Sequence, residues 1–122
     1  MANHAVADVS ILMVEDDGLL REFIADQLRS EGYAVAEAET GEQAFAMIQD
    51  GQAFDMLLTD IRTPGALDGW TLAEAVRARR PDLPVVYASS EPREPARQVS
   101  DSVFVPKPYR AERVIEAVRR LM

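Results

Sequence analysis

Four short apolar runs in this chain each lead to a polar or charged group. Ile11-Leu12-Met13-Val14 runs into Glu15, Asp16 and Asp17, and Met56-Leu57-Leu58-Thr59 into Asp60. Val85-Val86-Tyr87-Ala88 runs into Ser89, and Val103-Phe104-Val105 is followed by Lys107 and Pro108. Runs of this length read as strands buried on both faces of a parallel sheet. They predict strands at about 9–14, 54–60, 84–88 and 102–105, and the alternation from Tyr33 to Glu37 predicts one more.

Between the strands the apolar spacing becomes helical. Leu19, Leu20, Phe23, Ile24 and Leu28 predict the inward face of a helix over about 17–31, with Gly32 placed to end it. Thr40 is placed to cap a second helix that runs to about Asp50, with Ala44, Phe45, Met47 and Ile48 inward and Gly51 as its stop. A third helix is expected over about 69–80, ending before Pro81, and a last one over about 110–121. The stretch after the fourth strand breaks this rhythm. Residues 91–97 carry Pro92 and Pro95 and no apolar face, so a loop or at most a single turn is expected over 91–101. It is also expected to be more mobile than the rest and to gain order if Asp60 is modified.

Strands alternating with helices give an α/β fold, a doubly wound five-stranded parallel sheet. In such sheets functional groups gather beyond the carboxyl ends of the strands. Three acids, a hydroxyl and a lysine would then meet at one edge, a set suited to a magnesium-dependent phosphoryl acceptor.

Composition narrows the picture. A chain of 122 residues with 48% hydrophobic content fits one domain with a real core. The expected division is a tail at residues 1–8, containing the single histidine, His4, and a domain over 9–122. The net charge of -8 argues against nucleic acid and acidic membrane surfaces as partners. There is no cysteine, so disulfides and thiolate metal sites are excluded. No apolar run approaches the ~20 residues of a membrane span, and a cytoplasmic protein is expected.

Val-Glu-Asp-Asp (14–17), Leu-Leu-Thr-Asp (57–60) followed by Pro64 and Gly69, Ala-Ser-Ser (88–90) and Phe-Val-Pro-Lys-Pro-Tyr (104–109) stand in order at strand ends. Together they resemble the receiver domain of two-component response regulators, over about residues 9 to 121. The resemblance implies a flavodoxin-like sheet of order 2-1-3-4-5. It makes Asp60 the phosphorylated aspartate, and Glu15 and Asp16 the acidic pair that holds Mg²⁺ with Asp60 and the backbone carbonyl of Arg62. Ser89 matches the family's switch hydroxyl, with Ser90 as a competitor. Lys107 matches its phosphoryl-binding lysine, in a bond to Pro108 that is typically cis, and Phe104 its aromatic switch. Asp17 is read instead as a helix cap. The proline-broken stretch departs from the usual pattern and resembles stand-alone receivers whose helix between the fourth and fifth strands is short or missing.

The resemblance implies a phosphoacceptor signalling domain rather than an enzyme. Its donor would be a phosphohistidine of a sensor histidine kinase or histidine phosphotransfer protein, and its target an unknown downstream protein. A monomer without a DNA-binding output domain is expected, either free-standing or excised from a hybrid kinase. An aspartyl-phosphate phosphohydrolase would carry Asp-x-Asp where this chain has Asp60-Ile61-Arg62. A flavin binder would need a phosphate loop where the first strand here ends in acids. A pseudo-receiver used only for docking would not need the complete set.

Overall fold

The structure, a computed structural model, describes residues 9–122. The expected tail at 1–8, with His4, lies outside the described residues. Five parallel strands form one sheet in the order β2-β1-β3-β4-β5. They are β1 (Ser10–Val14), β2 (Ala34–Ala38), β3 (Met56–Thr59), β4 (Val85–Ser89) and β5 (Ser102–Pro106). Four helices cover the sheet: α1 (Gly18–Ser30), α2 (Gly41–Gln49), α3 (Gly69–Arg79) and α4 (Ala111–Arg120). The expected fold class and strand order are observed. Among the described residues no helix is long and apolar enough to cross a membrane.

The two-residue period of a strand sorts its side chains between two cores. Ile11, Met13, Leu58 and Val86 pack under α1 and α4 with Ile24, Leu28, Val114 and Val118. Leu12, Val14, Leu57, Val85 and Tyr87 face α2 and α3 with Ala44, Leu72 and Val76. Both faces are covered, which is why β1, β3 and β4 read as nearly unbroken apolar runs, while edge strand β2 carries Glu37 and is only partly buried. Burying a Leu or Ile side chain contributes about 1.5–3 kcal/mol, against ~1 kcal/mol for a helix cap. The central strands, more than the caps, fix where the strand ends lie.

The helix ends follow the sequence closely. Thr40 Oγ1 accepts from Gln43 N at 3.0 Å, and Asp17 accepts from Leu20 N at 3.2 Å, so Asp17 is the cap that the sequence suggested. Gly32, at φ 100°, closes α1: its N–H reaches Arg29 O while Tyr33 N reaches Leu28 O. That closure takes Tyr33 out of the strand, and β2 begins one residue later than expected.

One packing expectation is corrected. Leu19 and Phe23 do not face inward; they are 85% and 52% exposed. The buried stripe is Ile24, Ala25 and Leu28, with Leu20 at its margin. Leu19 and Phe23 each precede a stripe residue, and one residue is a turn of about 100° around the helix. That step carries both off the inward face.

Residues 90–101 contain no helix. A single turn forms where Arg97 N and Gln98 N both donate to Glu94 O. The segment is tied to α3 by polar contacts. Arg97 binds both carboxylate oxygens of Glu74 at 3.0 and 3.1 Å, and Arg77 donates to the carbonyl of Ser100. Val99 adds an apolar contact to the second core, and its N–H donates to the Tyr87 hydroxyl at 3.2 Å.

Candidate functional site

β1, β3 and β4 end side by side. Val14 pairs with Thr59, and Thr59 with Tyr87, so Glu15, Asp60 and Ser89 follow at one sheet edge. Glu15, Asp16 and Asp60 each bring a carboxylate oxygen within 4.8 Å of the other two. Glu15 and Asp60 are buried and Asp16 is exposed, so the cluster opens to solvent on one side.

Lys107 reaches this cluster from the end of β5. Its Nζ donates to Glu15 Oε1 at 2.6 Å and to Asp60 Oδ2 at 2.9 Å. Its backbone is anchored by Lys107 N donating to Ser89 O at 2.9 Å, and the Lys107–Pro108 bond is cis. The other oxygen of Asp60 accepts from Ile61 N at 2.6 Å and Arg62 N at 3.3 Å. Glu15 is held as firmly. Its second oxygen accepts from Asp17 N at 3.1 Å, its N–H donates to Ala38 O, and its carbonyl accepts from Arg21 at 2.8 Å.

Ser89 is buried, and its Oγ accepts from Glu91 N at 3.1 Å. Ser90 is exposed and lines an adjoining cavity of about 360 Å³ with Leu20, Lys107, Pro108 and Tyr109. The Arg62 side chain turns away from the acids and forms a two-pronged pair with Glu91, both contacts at 3.0 Å. Phe104 lies in an aromatic stack, its ring 6.2 Å from Trp70 and 6.5 Å from Tyr87. The sequence-predicted acids and Lys107 thus come together, Ser89 lies at the same edge, and Phe104 stands one layer back. Arg21 and Glu91 were not singled out as site neighbours in the sequence. Glu91 stands two residues after Ser89 in a polar segment, which is a weak signal.

The electrostatics follow from burial. Burial pushes the Glu15 carboxyl above its usual range, outweighing the hydrogen bonds from Lys107 and Asp17 that act the other way. Burial alone would lower Lys107; the hydrogen bonds and charges of Glu15 and Asp60 outweigh it and hold the ammonium above the ordinary lysine range. The Tyr109 phenol is pushed up to about 12, chiefly by burial.

A carboxyl whose folded pKa is raised stabilises the fold when protonated, and that contribution is lost as pH rises through the folded value. At neutral pH the ionised Glu15 is therefore a cost. Glu15→Gln, measured in chelator, is expected to raise the melting temperature at pH 7. The difference should shrink as pH falls through the carboxyl range. A lower melting temperature for Glu15→Gln at pH 7 would show that the pairing with Lys107 outweighs burial.

Three carboxylates against one ammonium leave an excess of two negative charges in a small volume. Clustered carboxylates repel unless a cation intervenes, and all-oxygen donors suit a hard divalent ion that keeps several waters. The residues present therefore fit Mg²⁺.

The family model of the response regulator receiver domain matches residues 11–119. The chemotaxis protein CheY of Pseudomonas aeruginosa is 34% identical over 120 residues, covering 93% of this chain and 95% of its own. Other curated relatives are longer, and the chain spans 24% of one and 25% of another. A crystal structure of a response regulator receiver protein from Sinorhizobium medicae superposes with a TM-score of 0.85 at 32% identity, over 93% of each chain. That of the response regulator protein TrrA from Thermotoga maritima, in complex with Mg(2+)-BeF, gives 0.81 at 27% identity, over 93% of this chain and 99% of its own.

Proposed function

We propose that this chain, which belongs to the response regulator receiver domain family, accepts a phosphoryl group on Asp60 and signals by contact with another protein. Receiver domains are phosphorylated by histidine kinases. The donor here is a phosphohistidine of a sensor kinase or histidine phosphotransfer protein, and the chain works as a cytoplasmic monomer. The observation that carries the reading is Lys107, whose ammonium bridges Glu15 and Asp60 at the mouth of the acidic cluster.

In the reaction an oxygen of Asp60 attacks phosphorus and the P–N bond of the phosphohistidine breaks. The imidazole leaves with the electron pair and takes up a proton. The buried Ile61 N–H and its neighbour Arg62 N–H hold the Asp60 carboxylate in a fixed orientation, which removes one rotor from the approach to the transition state. Lys107 already contacts Asp60, so its charge is in place for the oxygens that the phosphoryl group brings. Ser89 accepts from Glu91 N and keeps its own hydroxyl proton to donate to a phosphoryl oxygen. Glu15, Asp16, Asp60 and the backbone carbonyl of Arg62 would hold Mg²⁺, which when bound neutralises the charge gathered around the transferred group.

The surroundings suit a protein donor and a protein target. Leu19 and Phe23 offer an exposed apolar face on α1, next to the acids that precede the helix. Tyr87, two residues before Ser89 on the same face of β4, touches Phe104 and binds Val99 N, so a shift at Ser89 reaches the 90–101 segment. That segment replaces the helix expected in the wider family and carries the output.

The test is labelling in solution. With Mg²⁺ and a small phosphodonor the protein is expected to gain one phosphoryl group by intact mass, and a chelator should prevent it. Asp16→Ala removes one hard ligand and one charge, and should raise the Mg²⁺ needed for half-maximal labelling by about tenfold or more. Labelling that ignores both chelator and Asp16→Ala would sink the acidic cluster as the cation site.

A further inference from the structure

The backbone between Asp60 and α3 must keep its shape with little core of its own. Two internal bonds help: Thr63 Oγ1 donates to Leu67 O at 2.8 Å, and Gly69 N donates to Ile61 O at 2.6 Å. Among the described residues, besides the adjoining Asp60, which accepts from Ile61 N and Arg62 N, one side chain binds the backbone of this loop from another element. Glu42, in the first turn of α2, accepts from Ala66 N at 2.6 Å and from Leu67 N at 3.4 Å.

The fit around Glu42 is close on both sides. Gly65 adopts φ 97°, and a Cβ there would lie 2.6 and 2.7 Å from the two oxygens of Glu42. A Cβ on neighbouring Gly41 would lie 2.6 Å from Leu67 O. The loop therefore rests directly on the start of α2. Thr40 already serves the helix by accepting from Gln43 N, so the Glu42 carboxylate is free for the loop. A carboxylate is also favoured at a helix N-terminus. The Ala66 N–H bond holds the Glu42 carboxyl below its usual range.

We propose that Glu42 is a positioning residue for phosphoryl transfer. Its carboxylate bolts the 61–68 loop to α2, which keeps the Ile61 and Arg62 N–H groups on Asp60 and so holds that carboxylate in place for the cation. The role rests on the functional reading above, because it acts through Asp60 and its cation.

The experiment compares Glu42→Ala and Glu42→Gln with the wild type. Mg²⁺ affinity is read from backbone NMR shifts, loop order from amide exchange at Ala66 and Leu67, and labelling by a small phosphodonor across a Mg²⁺ series. For Glu42→Ala, protection at Ala66 should be lost and the Mg²⁺ dissociation constant should rise about tenfold, the low end of what losing a group behind a metal ligand costs. Labelling should recover toward the wild-type rate at saturating Mg²⁺, so that the loss sits in half-saturation. Glu42→Gln should fall between, since its amide oxygen still accepts one N–H. A purely structural contact would lower the melting temperature and leave Mg²⁺ half-saturation in place. Dissociation constants for both variants within about twofold of wild type would overturn the proposal. If the wild type itself takes no label on Asp60, the functional reading fails, while the Mg²⁺ affinities and Ala66 exchange still decide whether Glu42 sets the cation site.

Discussion

Asp60→Asn is expected to take up no phosphoryl group under conditions that label the wild type once. Asparagine keeps the size of the side chain and an oxygen for the Ile61 and Arg62 N–H groups, so the loop after β3 should keep its place. What it loses is the anionic oxygen that attacks phosphorus. It also loses the carboxylate partner of Lys107, which then pairs with Glu15 alone. Glu15 and Asp16 remain within the cluster, so the variant also asks whether a neighbouring acid can substitute. Intact-mass spectrometry of both proteins with Mg²⁺ and a small phosphodonor decides. Equal labelling would remove Asp60 from the acceptor role, and steady release of phosphate would revive a phosphohydrolase.

The strand ends were legible because a strand buried on both faces has to be apolar along its length. Where that run stops, as at Val14 and Thr59, the first polar residues stand at the sheet edge. Gathering Glu15, Asp16, Asp60, Ser89 and Lys107 at that edge needed only the strand order. Contacts that depend on a helix's rotation or on loop shape were not legible in the same way. Leu19 and Phe23 fit the helical spacing as well as Leu20 and Ile24 do, and only the direction of the sheet decides which pair is buried. The loss of a helix after β4 could be read from Pro92 and Pro95. The polar ties that hold that segment, Arg97 to Glu74 and Arg77 to Ser100, join residues more than twenty positions apart and leave no local pattern. Glu42 is hidden for the same reason: it reads as an ordinary first-turn acid until the loop that rests on it is seen.

Gly69 is a case where intrinsic propensity and geometry predict opposite signs. It opens α3, and in a helix interior alanine is favoured over glycine by about 1 kcal/mol. Propensity alone would make Gly69→Ala stabilising. A Cβ at this position, however, would collide with the carbonyl of Asp60 and lie 2.6 Å from the Cα of Ile61. Both are backbone atoms, with no rotamer to move aside, and overpacking of that kind costs about 1–3 kcal/mol or more. The clash should win. Gly69→Ala is expected to lower the melting temperature by roughly 10 °C for a loss of ~3 kcal/mol in a domain of this size. It should also slow labelling at temperatures where the variant is still folded, because the atoms displaced are those of the acceptor and the residue after it. Gly18→Ala is the matched control. Gly18 also opens a helix, yet its Cβ would meet only Arg21 Nη2, at 3.8 Å. That substitution is expected to be neutral or stabilising and to leave labelling unchanged. If Gly69→Ala melts and labels like the wild type, α3 can shift away from Asp60 without cost, and the close approach of the helix to the acceptor is not what positions it.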